Sequence, residues 1–484
     1  MNDIFEQSIV SPELIGIREW DRRFASIPAQ WLDSCRYLRE LDGGTKYVLS
    51  PEHYAQRGDL LLRRLKYDNS PAGLRLWSFI FSEKDRLFKA KENGWKIIAA
   101  MKDLGQIPAL SYAWKKQLTF YGDEMWWSPC FAEDPALLDI AAKLGAGDEF
   151  CFVRAALGAF ETLTYFPRPD LVIAAVGACC DDLTAVSELI RRRGNNVEYW
   201  ELPFRQCRND RISGAVFASH KGQNDAPIHA LELVEREMER VRGLLSDLMG
   251  SKVTDDDIAI NITRINRARA LTARIRQLAY GCDPPPIAGL EAFLVEFLPL
   301  HYCSDPEEAL AVLEEILDLC QRRAVARTGP MDKDLLRIYW VTPCTDTSIV
   351  QFVEGLGCRI AGTEYMLGQA FIPIPEDMPP LKGIAWSVMN DAMAASSKMR
   401  VDRILGEAVR NRAEGVIISG IFGASHCPYE TSIISEEITQ RMGIPTLSFD
   451  VPFSAGTLPG QITTRVEAFV EMLRERRRNG RSVQ

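Results

Sequence analysis

Cysteines placed just beyond apolar runs are the residues of this chain best suited to chemistry. Cys427 follows Gly415–Ser419 (GVIIS), whose β-branched content suits a buried parallel strand. The loop Gly420–Pro428 (GIFGASHCP) is too rich in Gly and Ser to continue that strand. A helix is predicted over 429–442, closed by Gly443, with Glu430, Glu436 and Glu437 on its polar side. The next strand is predicted over 445–450. Ligands in open α/β sheets sit at the carboxyl ends of strands, so His426 and Cys427 occupy a turn where chemistry is expected. A thiol at a helix N-terminus also has its thiolate favoured.

A second segment repeats the pattern. Leu171–Val176 (LVIAAV) reads as a buried strand ending in Gly177–Asp182 (GACCDD), and Asp181, Asp182 and Thr184 open a helix running to about Arg192. Two such turns would face each other across a cleft. Cys179 and Cys180 are neighbours that cannot both point into one site, so one is assigned to a metal and the other to packing. A third cysteine, Cys151, shares a face with Arg154 on a helix predicted over 150–160. Three cysteines at separate turns suggest a thiolate-ligated metal centre, and three thiolates leave the fourth position of an iron–sulfur cluster open. Cysteines that merely fill space beside strand ends are an equally weighted alternative. His426, Tyr429 and Glu430 are near enough in sequence to donate hydrogen bonds or protons there, though for Glu430 a place on the helix surface is as common a fate.

Composition narrows the class. A chain of 484 residues exceeds one core and calls for two or three domains. Hydrophobic content of 46% with 25% charged residues is that of a globular protein. A net charge of −9 argues against a nucleic-acid surface. No apolar run reaches the length of a membrane span, and residues 1–10 lack the pattern of a signal peptide, so a cytoplasmic location is expected. The twelve cysteines are then reduced thiols rather than a disulfide framework. The chain has no GxGxxG after a strand, no Walker A sequence and no CxxC pair, which removes classical dinucleotide and P-loop sites and weakens structural zinc.

The elements that must position the cysteines alternate between helix and strand, which favours parallel sheets. Residues 1–145, rich in tryptophan, read as a mainly helical N-terminal extension, with helices predicted over 11–24, 28–41 and 72–93. Residues 146–235 form a first α/β domain that includes a strand over 197–202. Residues 236–330 are helical; Thr254–Asp257 (TDDD) is an N-cap signal, and 306–322 is a clean amphipathic helix in which Cys320 packs. Residues 331–484 form a second α/β domain, with strands over 336–342 and 358–363 and a final helix over 461–477. The expected fold class is α/β, with two doubly wound, mostly parallel, flavodoxin- or Rossmann-like domains joined by the helical segment.

Several stretches, in order, resemble the 2-hydroxyacyl-CoA dehydratase family, which also contains the class I benzoyl-CoA reductase subunits. They are CFVRAALG from Cys151, PRPDLVIAAVGACCDD over 167–182, DDIAINITRINRARAL over 256–271 with PPPIAG over 284–289, RIYWVTPCTD over 337–346, GVIISGIFGASHCPYE over 415–430, and GIPTLSFD with GQITTRVEAF over 443–469. The resemblance runs from about Gly145 to Leu473. It implies that Cys151, Cys180 and Cys427 ligate one [4Fe–4S] cluster, Cys180 being preferred to Cys179 because the family's cysteine directly precedes the Asp now at 181. It further implies an acyl-CoA substrate, a related second subunit in a heterodimer or larger assembly, and a separate ATP-hydrolysing iron–sulfur activator that injects one electron. That electron would yield a ketyl radical from which the 2-hydroxyl leaves, with His426, Glu430 and Arg154 as candidate catalytic groups. A benzoyl-CoA-type reductase subunit and a non-catalytic α/β partner subunit are the competing expectations.

Overall fold

The structure is a computed structural model and describes residues 2–35, 61–101, 105–123, 136–177, 180–203, 216–342, 347–364, 371–390, 397–421, 423–424, 430–451 and 460–481. Two four-stranded, wholly parallel sheets dominate it, in a mixed α/β fold with many helices. The first holds β1 (Lys96–Met101), β2 (Gln117–Tyr121), β3 (Leu171–Gly177) and β4 (Val197–Leu202), in the order β2-β1-β3-β4. The second holds β5 (Leu336–Val341), β6 (Cys358–Glu364), β7 (Gly415–Ile421) and β8 (Thr446–Val451), in the order β6-β5-β7-β8. Each sheet therefore places its first strand beside its third. The connection reverses direction between those two strands, the place in such sheets where ligands commonly bind at the carboxyl ends.

Both central strands have the composition their position demands. Residues Leu171–Ala175 of β3 and all of β7 are buried, because helices cover both faces of a parallel sheet. Ile173 lies opposite Ala100 of β1 and Glu198 of β4, and Ile417 lies opposite Trp340 of β5 and Leu447 of β8. At the end of β3, Gly177 has φ +100, and a Cβ there would come within 2.3 Å of the Leu202 carbonyl oxygen. Only glycine lets β3 leave the sheet this close to β4.

The region before residue 145, expected to be mainly helical, holds seven helices among its described residues and also supplies β1 and β2, half of the first sheet. The run KIIAAM follows Gly94, which ends the preceding helix at φ +75, so the strand signal was present but lay among tryptophans that read as packing. The helix expected over 72–93 is two, Pro71–Phe81 and Glu83–Glu92, broken at Ser82. The strand Leu14–Gly16 pairs antiparallel with Lys66–Asp68.

Flanking the sheets are α1 (Ala155–Thr162), α2 (Asp181–Arg192), α3 (Ile228–Met249), α4 (Asp255–Gly281), α5 (Gly289–His301), α6 (Pro306–Ala326), α7 (Ser397–Arg410), α8 (Thr431–Met442) and α9 (Gly460–Arg481). The TDDD signal is realised as a reciprocal cap. Thr254 Oγ1 accepts from the Asp257 N–H, and Asp257 Oδ2 accepts from the Thr254 N–H at 2.8 Å. Helix α4 packs against α5 and α6, and its Ile258, Ile262, Ile265 and Ile275 are buried, each side chain contributing roughly 2 kcal/mol. One hydrophobic core runs through both sheets and this helical segment. A smaller one joins Tyr339, Val341, Val416 and Ile418 to α7 and α8.

Candidate functional site

Cys151 and Cys180 come together although 29 residues separate them. Their thiols share a hydrogen bond, and that bond, with burial second, pushes the Cys151 thiol well above the ordinary value. Both side chains are nearly inaccessible, at 2% and 4% exposure. Each stands at a helix start: Cys151 caps the 3₁₀ turn Phe152–Arg154 that leads into α1, and Cys180 caps α2. The Cys151 N–H donates to Asp182 Oδ2 at 3.3 Å, so the first turn of α2 also grips the backbone of the first cysteine.

Arg154 is the last residue of the 3₁₀ turn that Cys151 caps. Cys151 precedes the 3₁₀ turn, and the continuous helix expected over 150–160 begins only at Ala155. The Arg154 guanidinium reaches back to donate to the Phe150 carbonyl at 2.7 Å and to Asp148 Oδ1 at 2.5 Å. Its side chain is 11% exposed, so it braces the entry to Cys151 from within the fold.

The second sheet sends its own turn to this place. Gly423, just beyond β7, has φ +81, and a Cβ on it would lie 2.8 Å from the carbonyl carbon and oxygen of Phe150 and 2.9 Å from the Cys151 nitrogen. The carboxyl-end turns of β3 and β7 therefore meet at Cys151. His426 and Cys427, on the continuation of this turn, lie outside the described residues, as does Cys179. Among the described residues no three His, Cys, Asp or Glu side chains are placed to hold a metal ion. Two thiols and the approach of a third turn nevertheless suit a thiolate-bound cofactor: both protons of the Cys151–Cys180 pair would be displaced by a metal.

Glu430 caps α8 at the far end of the turn, and it is buried rather than on the polar helix face expected for it. Its Oε2 accepts from Arg400 at 2.7 Å and its Oε1 from the Ser397 hydroxyl at 2.6 Å. Arg400 and Glu364 were not foreseen. Arg400 takes up a position in the stripe Arg400, Val401, Ile404, Leu405 and Ala408 that α7 buries. An arginine at i−4 and i−8 to two buried apolar residues was the available signal.

Other cysteines lie apart from this site. Cys35, Cys320 and Cys358 are buried in separate surroundings, beside Arg75, Arg323 and Arg474 respectively, and burial raises all three thiols. No helix among the described residues is long and apolar enough to cross a membrane. The family model described as 2-hydroxyglutaryl-CoA dehydratase, D-component, matches residues 130–473, which include Cys151, Cys180, Cys427, Arg400 and Glu430. No curated protein matches the chain.

Proposed function

The chain belongs to the 2-hydroxyglutaryl-CoA dehydratase D-component family, and from that premise we propose that it is the iron–sulfur subunit of an enzyme that removes water from a 2-hydroxyacyl-CoA. The observation that carries this reading is the meeting of Cys151 and Cys180 at the point where the β7 turn arrives. Four residues of chain reach at most about 14 Å, so covalent connection alone keeps Cys427 within that range of the Gly423 contact.

In this reading Cys151, Cys180 and Cys427 would hold a [4Fe–4S] cluster through their thiolates. When bound, the cluster would supply one low-potential electron, drawn from an ATP-hydrolysing activator protein, for the loss of the 2-hydroxyl and a β-proton from the substrate, and would take it back once water has left. The chain's own groups bind and orient. Helix α2 starts at Cys180, and Cys151 caps the 3₁₀ turn that leads into α1, so both cysteines stand at helix starts, where a metal-bound thiolate would be well placed. Asp182 holds the Cys151 peptide, and Arg154 fixes the turn before it. The buried setting of both thiols keeps water from the site. His426 and Glu430 are the candidate catalytic groups on the β7 side, and Glu430 is held there by the Arg400 guanidinium. A related second subunit completes the enzyme.

Purification without oxygen tests the reading. About four irons per chain and a brown colour are expected. With activator and partner subunit, a 2-hydroxyacyl-CoA should be dehydrated and an aromatic acyl-CoA left unreduced. Iron-free protein that supports full turnover would overturn the cluster assignment.

A further inference from the structure

A groove of about 760 Å³ lies at the opposite end of the first sheet from the cysteines. It is lined by Trp95, which directly precedes β1, by the turn that leads into β2, and by the N-terminal turns of α4 and α6. Cavities of that size commonly hold a small molecule. Cys180 stands beyond the carboxyl end of β3, whose seven residues alone span roughly 20 Å. The groove is therefore separate from the site described above.

Three cations line it without a partner. The side chains of Lys115, Lys116 and Arg264 make no hydrogen bond or ion pair among the described residues. Lys115 is within electrostatic reach of Asp257 but does not bond to it. The acidic residues of the lining are mostly committed. Glu308 pairs with Arg75 at 2.7 Å, Asp305 accepts from the Glu307 and Glu308 N–H groups, and Asp257 closes the cap with Thr254. Only Glu307 is left to oppose the three cations, so the uncommitted charge of the groove is positive. Lysine and arginine together suit a phosphate, the one as a point charge and the other as a fork of donors.

Ring surface is the other component. Trp95 and Tyr112 line the groove half-buried, and Trp114 lines it with little exposure. Trp114 Nε1 already donates to the Ser251 carbonyl at 2.9 Å, and the Tyr112 hydroxyl to the Thr119 carbonyl at 2.9 Å. With their polar ends engaged, these side chains offer the groove faces on which a planar ring can stack. Asn261, also on the wall and 1% exposed, donates from Nδ2 to the Pro108 and Ala109 carbonyls at 3.0 and 2.7 Å. A flipped amide would set its oxygen against those two carbonyls, so Oδ1 stays an acceptor, and it has no donor among the described residues. On the α6 side, Ser304 ends a run of three buried left-handed residues, Tyr302, Cys303 and Ser304, at φ 58, 45 and 62. Non-glycine residues adopt that conformation singly, and strain of this kind gathers at ligand sites.

We propose that this groove is a second binding site, for a nucleoside phosphate: the base lies against Trp95 and Tyr112, and the phosphates against Lys115, Lys116 and Arg264. Inorganic phosphate would leave the rings bare, and an uncharged ring would leave the cations unpaired. A base N–H is the kind of donor that Asn261 Oδ1 lacks. Free adenine nucleotides and the nucleotide end of coenzyme A share this chemistry. The site does not depend on the cluster reading, because no cysteine enters it.

Calorimetric titration of the full chain with ATP, coenzyme A, pantetheine and inorganic phosphate tests the proposal. ATP or coenzyme A should bind, and pantetheine and phosphate at the same concentrations should not. Tighter binding of ATP identifies a free nucleotide as the ligand, and tighter binding of coenzyme A its nucleotide end. Arg264→Gln and Lys116→Gln should each weaken the binding about tenfold, through loss of one charge-assisted contact. Arg267→Gln removes an equal charge from the same helix outside the groove, where Arg267 pairs with Glu314, and should leave binding unchanged. A photoreactive azido-adenine nucleotide needs no variant: its label should fall within residues 95–118 or 257–264. Failure of both ATP and coenzyme A to bind overturns the proposal, as does a label elsewhere. So does binding that survives Arg264→Gln undiminished, or that Arg267→Gln weakens equally, since the latter reports net charge alone.

Discussion

Gly423 and Cys151 meet backbone to backbone: a methyl group on Gly423 would stand 2.9 Å from the Cys151 amide nitrogen. The contact joins the two sheets at their carboxyl ends, 272 positions apart in the chain. It requires glycine twice over, once for space and once for φ +81.

Gly423→Ala should therefore cost about 2–3 kcal/mol through overpacking and backbone strain. It should also lower iron uptake more than a comparably destabilising change elsewhere. Urea denaturation and iron analysis of the same preparation check both. Unchanged stability together with full iron would show that the two turns need not touch.

Serine in place of Cys151, Cys180 or Cys427 should each lower iron content and abolish most activity, because a hydroxyl is a poor ligand for iron–sulfur clusters. Cys320→Ser should keep its iron and lose only some stability, the thiol being 0% exposed and beside Arg323. Cys179→Ser should resemble wild type. Iron analysis across the five variants checks the set, and full iron in Cys427→Ser would remove that residue from the ligands.

Stability should fall as pH rises from about 5 to about 8. Burial pushes the Glu354 carboxyl up to about 8 and that of Glu291 up to about 7. Glu354 Oε1 accepts from the Gly289 N–H at 2.8 Å, at the start of α5, and Glu291 Oε1 accepts from Trp77 Nε1 and the Asp68 N–H. In this window the unfolded carboxyls have ionised while the folded ones keep their protons, so the folded state binds more protons and loses ground with each unit. The contribution is complete below the ordinary value of 4.5 and is lost on passing 7 and then 8, with a slope of up to about 1.4 kcal/mol per pH unit for each group. Glu354→Gln should flatten that decline, as read from urea midpoints at several pH values.

Arg323→Met should cost about 3–5 kcal/mol, since it strands a buried carboxylate. Arg323 and Asp68 are 0% and 1% exposed and pair at 2.5 Å, and the guanidinium also holds the Ser8 and Pro286 carbonyls. The double variant Arg323→Met with Asp68→Leu should recover part of the loss. If the single variant unfolds at the wild-type urea concentration, the N-terminal strand pair is not anchored through this ion pair.

The sequence by itself determined the local elements wherever short-range signals agree. The runs of β3 and β7, the Thr254–Asp257 cap, the glycine that ends α8 and the amphipathic α6 all depend on neighbours within a few residues, so periodicity and capping chemistry reveal them. The alternation of these elements also implied parallel sheets, and the ordered stretches around the cysteines pointed to the family that the chain matches over residues 130–473. Tertiary structure decided what those elements are next to. Strands β1 and β2 join the first sheet because β1 pairs with β3 across some seventy residues, a partnership no local pattern encodes. It also moved Cys151 from the first turn of the helix expected over 150–160 to the cap of a 3₁₀ turn, set the Arg154 guanidinium on the Phe150 carbonyl, and took Glu430 from the helix surface into the clamp of Arg400. The meeting of Cys151, Cys180 and the β7 turn has the same origin: pairing and packing between segments far apart in the chain fix that distance, whereas propensity acts only between near neighbours.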